Sequence, residues 1–312
     1  MSILERVRSN MALLATATRC DTVCLMQPPH LALAIIGDEV GSSVAEMISF
    51  CVEHGIKRIA MRSVGGRNLL SMSLSEVDAI GLALNKAGLI VPMLMSPLLK
   101  WPVISQSSPA KEIDFSFNPA QCPSDDPFAY AFDVAGVLRA ERMRVSSYLR
   151  CDSFDAMNLV NRIERILDLA NVYSVNVELE NEPECNVRSV ADLVAFFVAF
   201  PGWPLLGRLK ALPNIGSAWL TKQPTDNDIT MLAPYIDALQ ISDVDTVANR
   251  VVPLGDGDVP WATELGRFLA KVESTEVLAS IQTHNRQNGS NDVVRSIETL
   301  RRVAKEIGVG LV

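Results

Sequence analysis

Short apolar runs rich in β-branched residues alternate with longer segments of helical periodicity along this chain. Eight such runs occur, at residues 31–36, 58–63, 89–95, 142–147, 174–180, 214–220, 236–242 and 277–283. An alternation of this kind is typical of βα units and a parallel sheet. Eight units predict an α/β fold of the (β/α)8 type, a TIM barrel, which takes about 250 residues.

The segments between the runs carry helix start and stop signals. Ser73 and Glu76 form a predicted capping box, and Gly88 ends that helix. The last helix is predicted over residues 292–307, before Gly308. A doubly wound sheet is the rival architecture, but the first run continues into residues 37–41, which lack the GxGxxG turn of a dinucleotide fold. The barrel is therefore favoured.

The chain has 312 residues, so a barrel leaves a surplus to place. We assign residues 1–30 to an N-terminal extension, whose amphipathic stretch over residues 2–14 is expected to pack outside the barrel. Residues 31–312 form the predicted single barrel domain, with a long connection over residues 98–127. Neither surplus segment is large enough for a second domain.

Charge and cysteine content exclude several classes of function. Asp and Glu number 36 against 28 Lys and Arg, a net charge of -8, so nucleic acid and anionic membrane are not expected partners. Six cysteines without a CxxC pair, and no leader peptide, predict reduced thiols in the cytoplasm. Only three histidines occur, which excludes a His-rich zinc site. No apolar run approaches the roughly 18 residues that span a bilayer.

Functional residues of such barrels lie where strands end in loops. We expect catalysis from Glu180 and Lys222, and substrate binding from the remaining polar or aromatic residues near strand ends. These candidate binding residues are Arg62, Trp101, Arg144, Gln240, Gln282 and His284. The two arginines suit a carboxylate or a phosphate, with structural pairing to an acidic residue as the alternative. Trp101 is expected either to stack on a bound substrate or to close the core of its loop.

The fifth run holds the most unusual pattern. Glu178 and Glu180 alternate with Val177 and Leu179, so both glutamates share one face of the strand. If the apolar residues pack against helices, the two carboxylates point into the barrel. Burial raises a carboxylate pKa, which is how a general base is made, and Glu180 is the better candidate because Glu178 lies deeper.

Four fragments along the chain are informative when they are taken together. They are Ala-Met-Arg at 60–62, Ser-Pro at 96–97, Glu-Asn-Glu-Pro at 180–183 and the loop over residues 253–261. In this order they resemble the sugar phosphate isomerase/epimerase family of xylose-isomerase-like barrels. The resemblance spans about residues 31–308. It implies a small sugar or sugar phosphate as substrate, with aldose-ketose isomerisation or epimerisation by proton transfer as the reaction.

The resemblance also implies four side chains that hold a divalent metal. Glu180 matches the family glutamate of the fifth strand, whereas Leu220, Gln240 and Gln282 stand at the other three positions, with Gln223 at a further polar position. One carboxylate with neutral amides is a poor divalent site, so we expect no cofactor and no tightly bound metal. Weak metal binding stays open. Lys222 lies two residues beyond Leu220 and is expected to place its ammonium near Glu180.

Two function classes follow. In the first, the protein is an isomerase or epimerase with Glu180 as base and a cationic side chain in place of the metal. In the second, it is a non-catalytic carbohydrate-binding or regulatory homologue. A DNA-repair endonuclease on the same barrel is disfavoured because it needs a His-rich metal site and a basic face. Whether the substrate is phosphorylated, and whether the protein is a homo-oligomer, stays open at this point.

Overall fold

The first strand shows how the sequence builds two packed layers. In the computed structural model, alternate residues of strand β1 (His30–Ile36) belong to two separate apolar clusters. Ala32, Ala34 and Ile36 join a small cluster formed by strand residues alone. The intervening residues join the large cluster that also contains the buried faces of the helices. This alternation is that of a barrel with a filled interior and an outer helical layer.

The structure describes residues 29–103, 117–152, 154–199, 206–284 and 289–312. The predicted N-terminal extension therefore lies outside the described residues except for its last two positions. Its amphipathic stretch and its two cysteines, Cys20 and Cys24, belong to that part, so the predicted packing of the extension stays a prediction.

Within the described ranges the strands are short and mostly buried. They are β1, β2 (Ile59–Ala60), β3 (Ser63–Val64), β4 (Arg67–Asn68), β5 (Met93–Leu94), β6 (Arg142–Val145), β7 (Asn176–Glu180), β8 (Leu209–Leu212), β9 (Ala238–Ile241), β10 (Asp243–Asp245), β11 (Arg250–Val252) and β12 (Glu276–Ile281).

The helices of the described ranges follow the strands as βα units require. They are α1 (Val44–His54), α2 (Leu74–Lys86), α3 (Pro127–Leu138), α4 (Ala156–Tyr173), α5 (Val190–Ala199), α6 (Ile215–Thr221), α7 (Asp226–Leu232), α8 (Trp261–Leu269) and α9 (Gly289–Glu306). The predicted capping box of Ser73 and Glu76 is present at the start of α2. Gly308 follows α9 with a left-handed φ of 72°, as predicted for a helix stop.

Two parallel four-stranded sheets form the centre of the fold, in the orders β2-β1-β12-β9 and β5-β6-β7-β8. Isolated parallel bridges join them at both seams. Arg58 pairs with Ile90 and Met61 with Leu94 between β2 and β5, while Ala211 pairs with Ile236 and Asn214 with Gln240 between β8 and β9. The parallel strands therefore follow one another around a ring, with continuous ladders only inside the two sheets.

Two antiparallel hairpins, β3 with β4 and β10 with β11, extend from the carboxyl ends of the second and seventh barrel strands. Gly65 and Gly66 stand at the tip of the first hairpin, both with positive φ.

One predicted strand is wrong. Residues 214–220 were predicted as the sixth strand, but Ile215–Thr221 is helix α6, and the sixth barrel strand is β8, Leu209–Leu212. Asn214 is the N-cap of α6, and its side chain accepts a hydrogen bond from the Ser217 amide. A capped helix start thus replaces the expected extended run.

Candidate active site

Glu180 lies at the carboxyl end of β7, where its side chain is fully buried. As predicted, Val177 and Leu179 pack in the outer core, while Glu178 and Glu180 are buried on the opposite face of the strand. This is the barrel interior, because strand alternation places the two sets of side chains on opposite faces. The fifth strand therefore brings a carboxylate to the interior of the barrel at its catalytic end.

Two cations contact the acidic residues of this end. The Nη1 atom of Arg144 lies 3.4 Å from Oε2 of Glu180 and 3.6 Å from Oε1 of Glu182. The Nζ atom of Lys100 lies 2.7 Å from the same Oε1 of Glu182. We call these four residues the charge cluster; its two positive and two negative groups balance.

Arg144 is held rigidly by the backbone. Its Nε and Nη2 atoms both donate to the carbonyl oxygen of Ser96, at 3.1 and 2.8 Å. The Ser96 hydroxyl in turn donates to the carbonyl oxygen of Arg144 at 2.5 Å. Because two donors are fixed at Ser96, the remaining Nη1 is directed toward the two carboxylates. Ser96 belongs to the Ser-Pro fragment at 96–97, and its carbonyl oxygen positions the guanidinium.

The two carboxylates of the charge cluster have opposite pKa shifts. Burial, reinforced by the negative charge of Glu182, raises the pKa of Glu180 to about 7. Burial also acts to raise the pKa of Glu182, but Lys100 and Arg144 outweigh it and hold that pKa at about 2. Glu182 is therefore ionised at neutral pH, whereas Glu180 is divided between its two forms. Carboxylates separated in this way are typical of acid-base sites.

Neutral amides surround the other side of Glu180. The Nδ2 atom of Asn214 donates to Oε1 of Glu180 at 2.9 Å and to Oε1 of Gln282 at 3.4 Å. Gln240 is fully buried, and within the described residues neither polar atom of its side chain has a hydrogen-bond partner. Since buried amide groups are nearly always hydrogen-bonded, Gln240 marks a place where a bound polar molecule would fit.

The predicted placement of Lys222 on a strand is wrong, whereas its catalytic role stays a prediction. Lys222 is exposed and follows the end of helix α6, so the strand alternation that was expected to point it at Glu180 does not apply. Lys100 and Arg144 are the cations of this site instead. Leu220 likewise lies on α6, and Asn214 rather than Leu220 follows the sixth barrel strand. Sequence reasoning missed both Asn214 and Lys100; the Asn-x-x-Ser cap at residues 214–217 was the available signal for the former.

Arg62 pairs with two acidic residues, which is the structural alternative named for it from the sequence. Its guanidinium lies 3.0 Å from Asp38 and 3.4 Å from Glu39, both near the end of the first strand. Glu39 also accepts from the backbone amide and hydroxyl of Thr283, at 2.7 and 2.9 Å. This buried network links the first, second and eighth barrel strands, and the amide of the exposed residue His284 contributes a longer bond of 3.3 Å to Glu39.

Trp101 belongs to an aromatic cluster. Its ring centroid lies 6.3 Å from that of Phe117 and 6.1 Å from that of Phe128. These contacts favour the alternative in which Trp101 closes the core of its loop. The loop over residues 253–261 also has a structural role, since the amides of Gly255 and Val259 donate to the carboxylate of Asp243.

The donor set at the strand ends does not suit a divalent metal. The resemblance assigned the metal-ligand positions to Glu180, Leu220, Gln240 and Gln282, but Leu220 lies on helix α6 and Asn214 stands at the end of the sixth barrel strand in its place. The strand ends therefore carry Glu180, Asn214, Gln240 and Gln282. Only one of these is charged, and its carboxylate already faces a guanidinium and an amide N–H. Hard divalent cations need several anionic or imidazole ligands. In the described ranges, no three His, Cys, Asp or Glu side chains are grouped so that they could hold a metal ion.

Comparison with solved structures gives the same fold at low sequence identity. A xylose isomerase domain protein from Planctomyces limnophilus aligns with a TM-score of 0.62 and 15% identity over 90% of this chain and 99% of its own. A D-psicose 3-epimerase from Clostridium cellulolyticum H10, solved with D-tagatose, gives 0.62 and 13% over 87% and 99%.

A third structure belongs to a protein with a different reaction. The probable 3-DHS dehydratase AsbF from Bacillus anthracis aligns with a TM-score of 0.63 and 16% identity over 86% of this chain and 98% of its own. No protein-family model matches the chain, and no curated protein matches it by sequence. None of the helices in the described ranges is long and apolar enough to cross a membrane. The TIM barrel fold predicted from the sequence is confirmed.

Proposed function

We propose that this chain, with its xylose-isomerase-like fold, is an isomerase or epimerase that moves a proton on a small polyhydroxylated substrate. Glu180 is the proposed base, and no tightly bound metal takes part. The observation that carries the proposal is the charge cluster, in which Glu180 is buried, contacts Arg144 at 3.4 Å and has a pKa of about 7. A carboxylate of that pKa can both take and return a proton at neutral pH.

The proposed step begins with a substrate carbonyl and the C–H bond beside it. The C–H bond breaks and its proton goes to the Glu180 carboxylate. The electron pair forms a carbon-carbon double bond, and the carbonyl oxygen takes the negative charge of an enediolate. Protonated Glu180 then returns the proton to a carbon of this intermediate. Return of the proton to the former carbonyl carbon, with transfer of the enediolate hydroxyl proton to the former carbonyl oxygen, gives isomerisation. Epimerisation instead requires a proton delivered by water to the original carbon from its opposite face, after which Glu180 loses its proton to solvent.

Arg144 is proposed to offset the negative charge of that intermediate. Its guanidinium is fixed by the Ser96 carbonyl before substrate binds, so little reorganisation is needed during the reaction. Lys100 holds Glu182 ionised, and the charge of Glu182 raises the pKa of Glu180. Arg144 and Lys100 thus replace the cation for which Lys222 was proposed from the sequence.

A sugar-like substrate is favoured by the chemistry around Glu180. Asn214, Gln240 and Gln282 offer amide donors and acceptors without charge, which suits hydroxyl groups. The similarity to a D-psicose 3-epimerase solved with D-tagatose supports a substrate of that size. A small sugar or sugar phosphate, a cytoplasmic location, and no nucleic-acid or membrane partner remain our proposals, as does the absence of a cofactor.

A non-catalytic carbohydrate-binding protein is the second candidate. This candidate is favoured by Gln240, whose buried side-chain amide has no hydrogen-bond partner among the described residues. Such a group can recognise a ligand without taking part in a reaction. The two candidates share a ligand class and differ in whether Glu180 transfers a proton.

Solvent exchange tests the proposal without knowledge of the product. The protein is incubated in heavy water with a panel of ketoses, aldoses, sugar acids and their phosphates, and NMR follows deuterium at the carbon beside the carbonyl. Glu180→Gln is expected to slow exchange by about 100-fold to 10,000-fold. Glu178→Gln, on the same strand and face, is the matched control and is expected to retain exchange. Ligand binding without exchange in the wild type would select the binding protein.

A further inference from the structure

We propose that a basic pocket at the amino-terminal end of the barrel binds a small organic phosphate. The proposal concerns a second site and does not depend on the function proposed for Glu180. The pocket has a volume of about 720 Å³ and lies where α1 and α9 end and β2 begins. We define the basic pocket by its charged side chains, Lys57, Arg58, Arg301 and Lys305.

The side chains that line the pocket carry charge of one sign only. Four of them are cationic and none is acidic, although the chain as a whole has a net charge of -8. The terminal carboxyl group of Val312 also lines the pocket, and Arg58 donates to it. In the part of the chain that the structure describes, Lys57, Arg301 and Lys305 form no hydrogen bond or ion pair through their side chains. These three cations therefore leave the pocket with an excess of positive charge.

Arg58 is the preorganised member of the group. Its Nη1 atom donates to the Val312 oxygen at 3.2 Å, and its Nη2 atom lies 4.0 Å from Glu276. These contacts hold a half-buried guanidinium beside the more mobile lysine chains. A guanidinium presents a planar fork of donors that matches the oxygens of a phosphate.

The helix ends account for only part of this charge. The carboxyl end of a helix favours a cation in its last turn, which explains Lys305 at the end of α9. Lys57 and Arg58 lie beyond the end of α1, in the segment that enters β2. Their place in the wall of a cavity, rather than at a helix terminus, points to a ligand.

Apolar side chains complete the pocket and argue for an organic ligand. They are Leu33, Ile56, Val309 and Leu311. A pocket of 300 to about 1,000 Å³ with an apolar wall and a few convergent polar groups is the usual form of a small-molecule site. Four cationic side chains favour a ligand that carries several negative charges, and the apolar wall favours a ligand with an apolar or aromatic part. The expected occupant is therefore a phosphate ester or an organic diphosphate.

Calorimetry on the full-length protein tests the site with two probes, inorganic pyrophosphate and adenosine diphosphate, at fixed ionic strength. Both probes are expected to bind. Adenosine diphosphate is expected to bind more tightly than pyrophosphate, because its nucleoside part covers the apolar wall of the pocket. The double variant Lys57→Gln with Arg301→Gln is expected to weaken both by about tenfold or more, the usual value of charge-assisted hydrogen bonds. Raising the salt concentration is expected to weaken binding further.

Lys86→Gln is the matched control, because Lys86 is an exposed lysine in the last turn of a different helix, α2. It is expected to leave both affinities unchanged. All the substituted side chains are exposed, and circular dichroism checks that each variant keeps the fold. Failure of both probes to bind at millimolar concentration would overturn the proposal. So would equal affinity for the two probes, or an equal loss in the Lys86→Gln control.

Discussion

The Nη1 atom of Arg144 lies 3.4 Å from Oε2 of Glu180, and both side chains are fully buried. Removing one partner of such a pair leaves a buried charge without compensation, whereas removing both charges together does not. At pH 9, where Glu180 is ionised in the wild type, Arg144→Met is therefore expected to lower the free energy of unfolding by about 3 to 5 kcal/mol.

Adding Glu180→Gln to Arg144→Met is expected to recover much of that loss. Urea denaturation of the wild type, the two single variants and the double variant gives the coupling energy between the residues. Purely additive losses would show that the two groups do not interact.

Lys100 and Lys222 are expected to behave differently when each is changed to methionine. Lys100→Met leaves buried Glu182 without its 2.7 Å partner, so the free energy of unfolding is expected to fall by about 2 to 4 kcal/mol. Lys222 is exposed, and its substitution is expected to change that quantity by less than about 0.5 kcal/mol. Denaturant melts of the two variants make the comparison, and equal losses would contradict the assignment of Lys100 as the cation.

Glu178 gives the protein a stability that falls as pH rises. Burial first, and then the charge of Asp237, raise the pKa of Glu178 well above 4.5. The folded protein consequently binds this proton more tightly than the unfolded chain does. The contribution of Glu178 to the free energy of unfolding is complete below the pKa that Glu178 has in the unfolded chain. It is lost as pH rises through the pKa that Glu178 has in the folded protein.

The variant Glu178→Gln removes this proton and should flatten the pH dependence. The difference in unfolding free energy between variant and wild type is expected to move in favour of the variant above about pH 5, by up to about 1.4 kcal/mol per pH unit. Denaturant melts between pH 5 and pH 8, at intervals of about one unit, measure it. Parallel curves for the two proteins would mean that Glu178 titrates normally.

The sequence predicted most of the barrel because seven of the eight apolar runs coincide with buried strands. The sixth failed for a physical reason. Strand β8 has only four residues and includes Lys210, whereas the helix that follows carries an apolar run of similar length. Local pattern does not separate a short buried strand from a short buried helix.

From the sequence, only the part of the candidate site that depends on a single strand was predicted. Alternation within β7 placed Glu180 in the barrel, and that requires no other part of the chain. The contact of Lys100 with Glu182 joins residues 82 positions apart, and the direction of Arg144 depends on the backbone of Ser96. Such relationships come from the packing of separate strands and loops, which a single sequence does not contain.

The chemistry of the strand ends predicts that purified protein holds no stoichiometric Mn, Zn, Co or Mg after dialysis. Elemental analysis measures the content. Combining Asn214→Asp, Gln240→His and Gln282→Glu supplies the missing ligands around Glu180 and is expected to create a site. The matched control replaces Asn214→Asp by Leu220→Asp, on helix α6, and is expected to bind metal more weakly because it has one ligand fewer. One equivalent of metal in the wild type that disappears with Glu180→Gln would contradict this reasoning.

The central claim is that Glu180 exchanges a proton near neutral pH because it is buried beside Glu182 and Arg144. Infrared difference spectroscopy of the wild type against Glu180→Gln detects its protonated carboxyl group directly. The account predicts a carboxylic acid band that is present in the wild type, absent from the variant and lost with a midpoint at pH about 7. In Glu182→Gln the midpoint should fall by about one pH unit or more, because a like charge is removed. A wild-type band lost at the ordinary value near 4.5, unchanged by Glu182→Gln, would contradict the account.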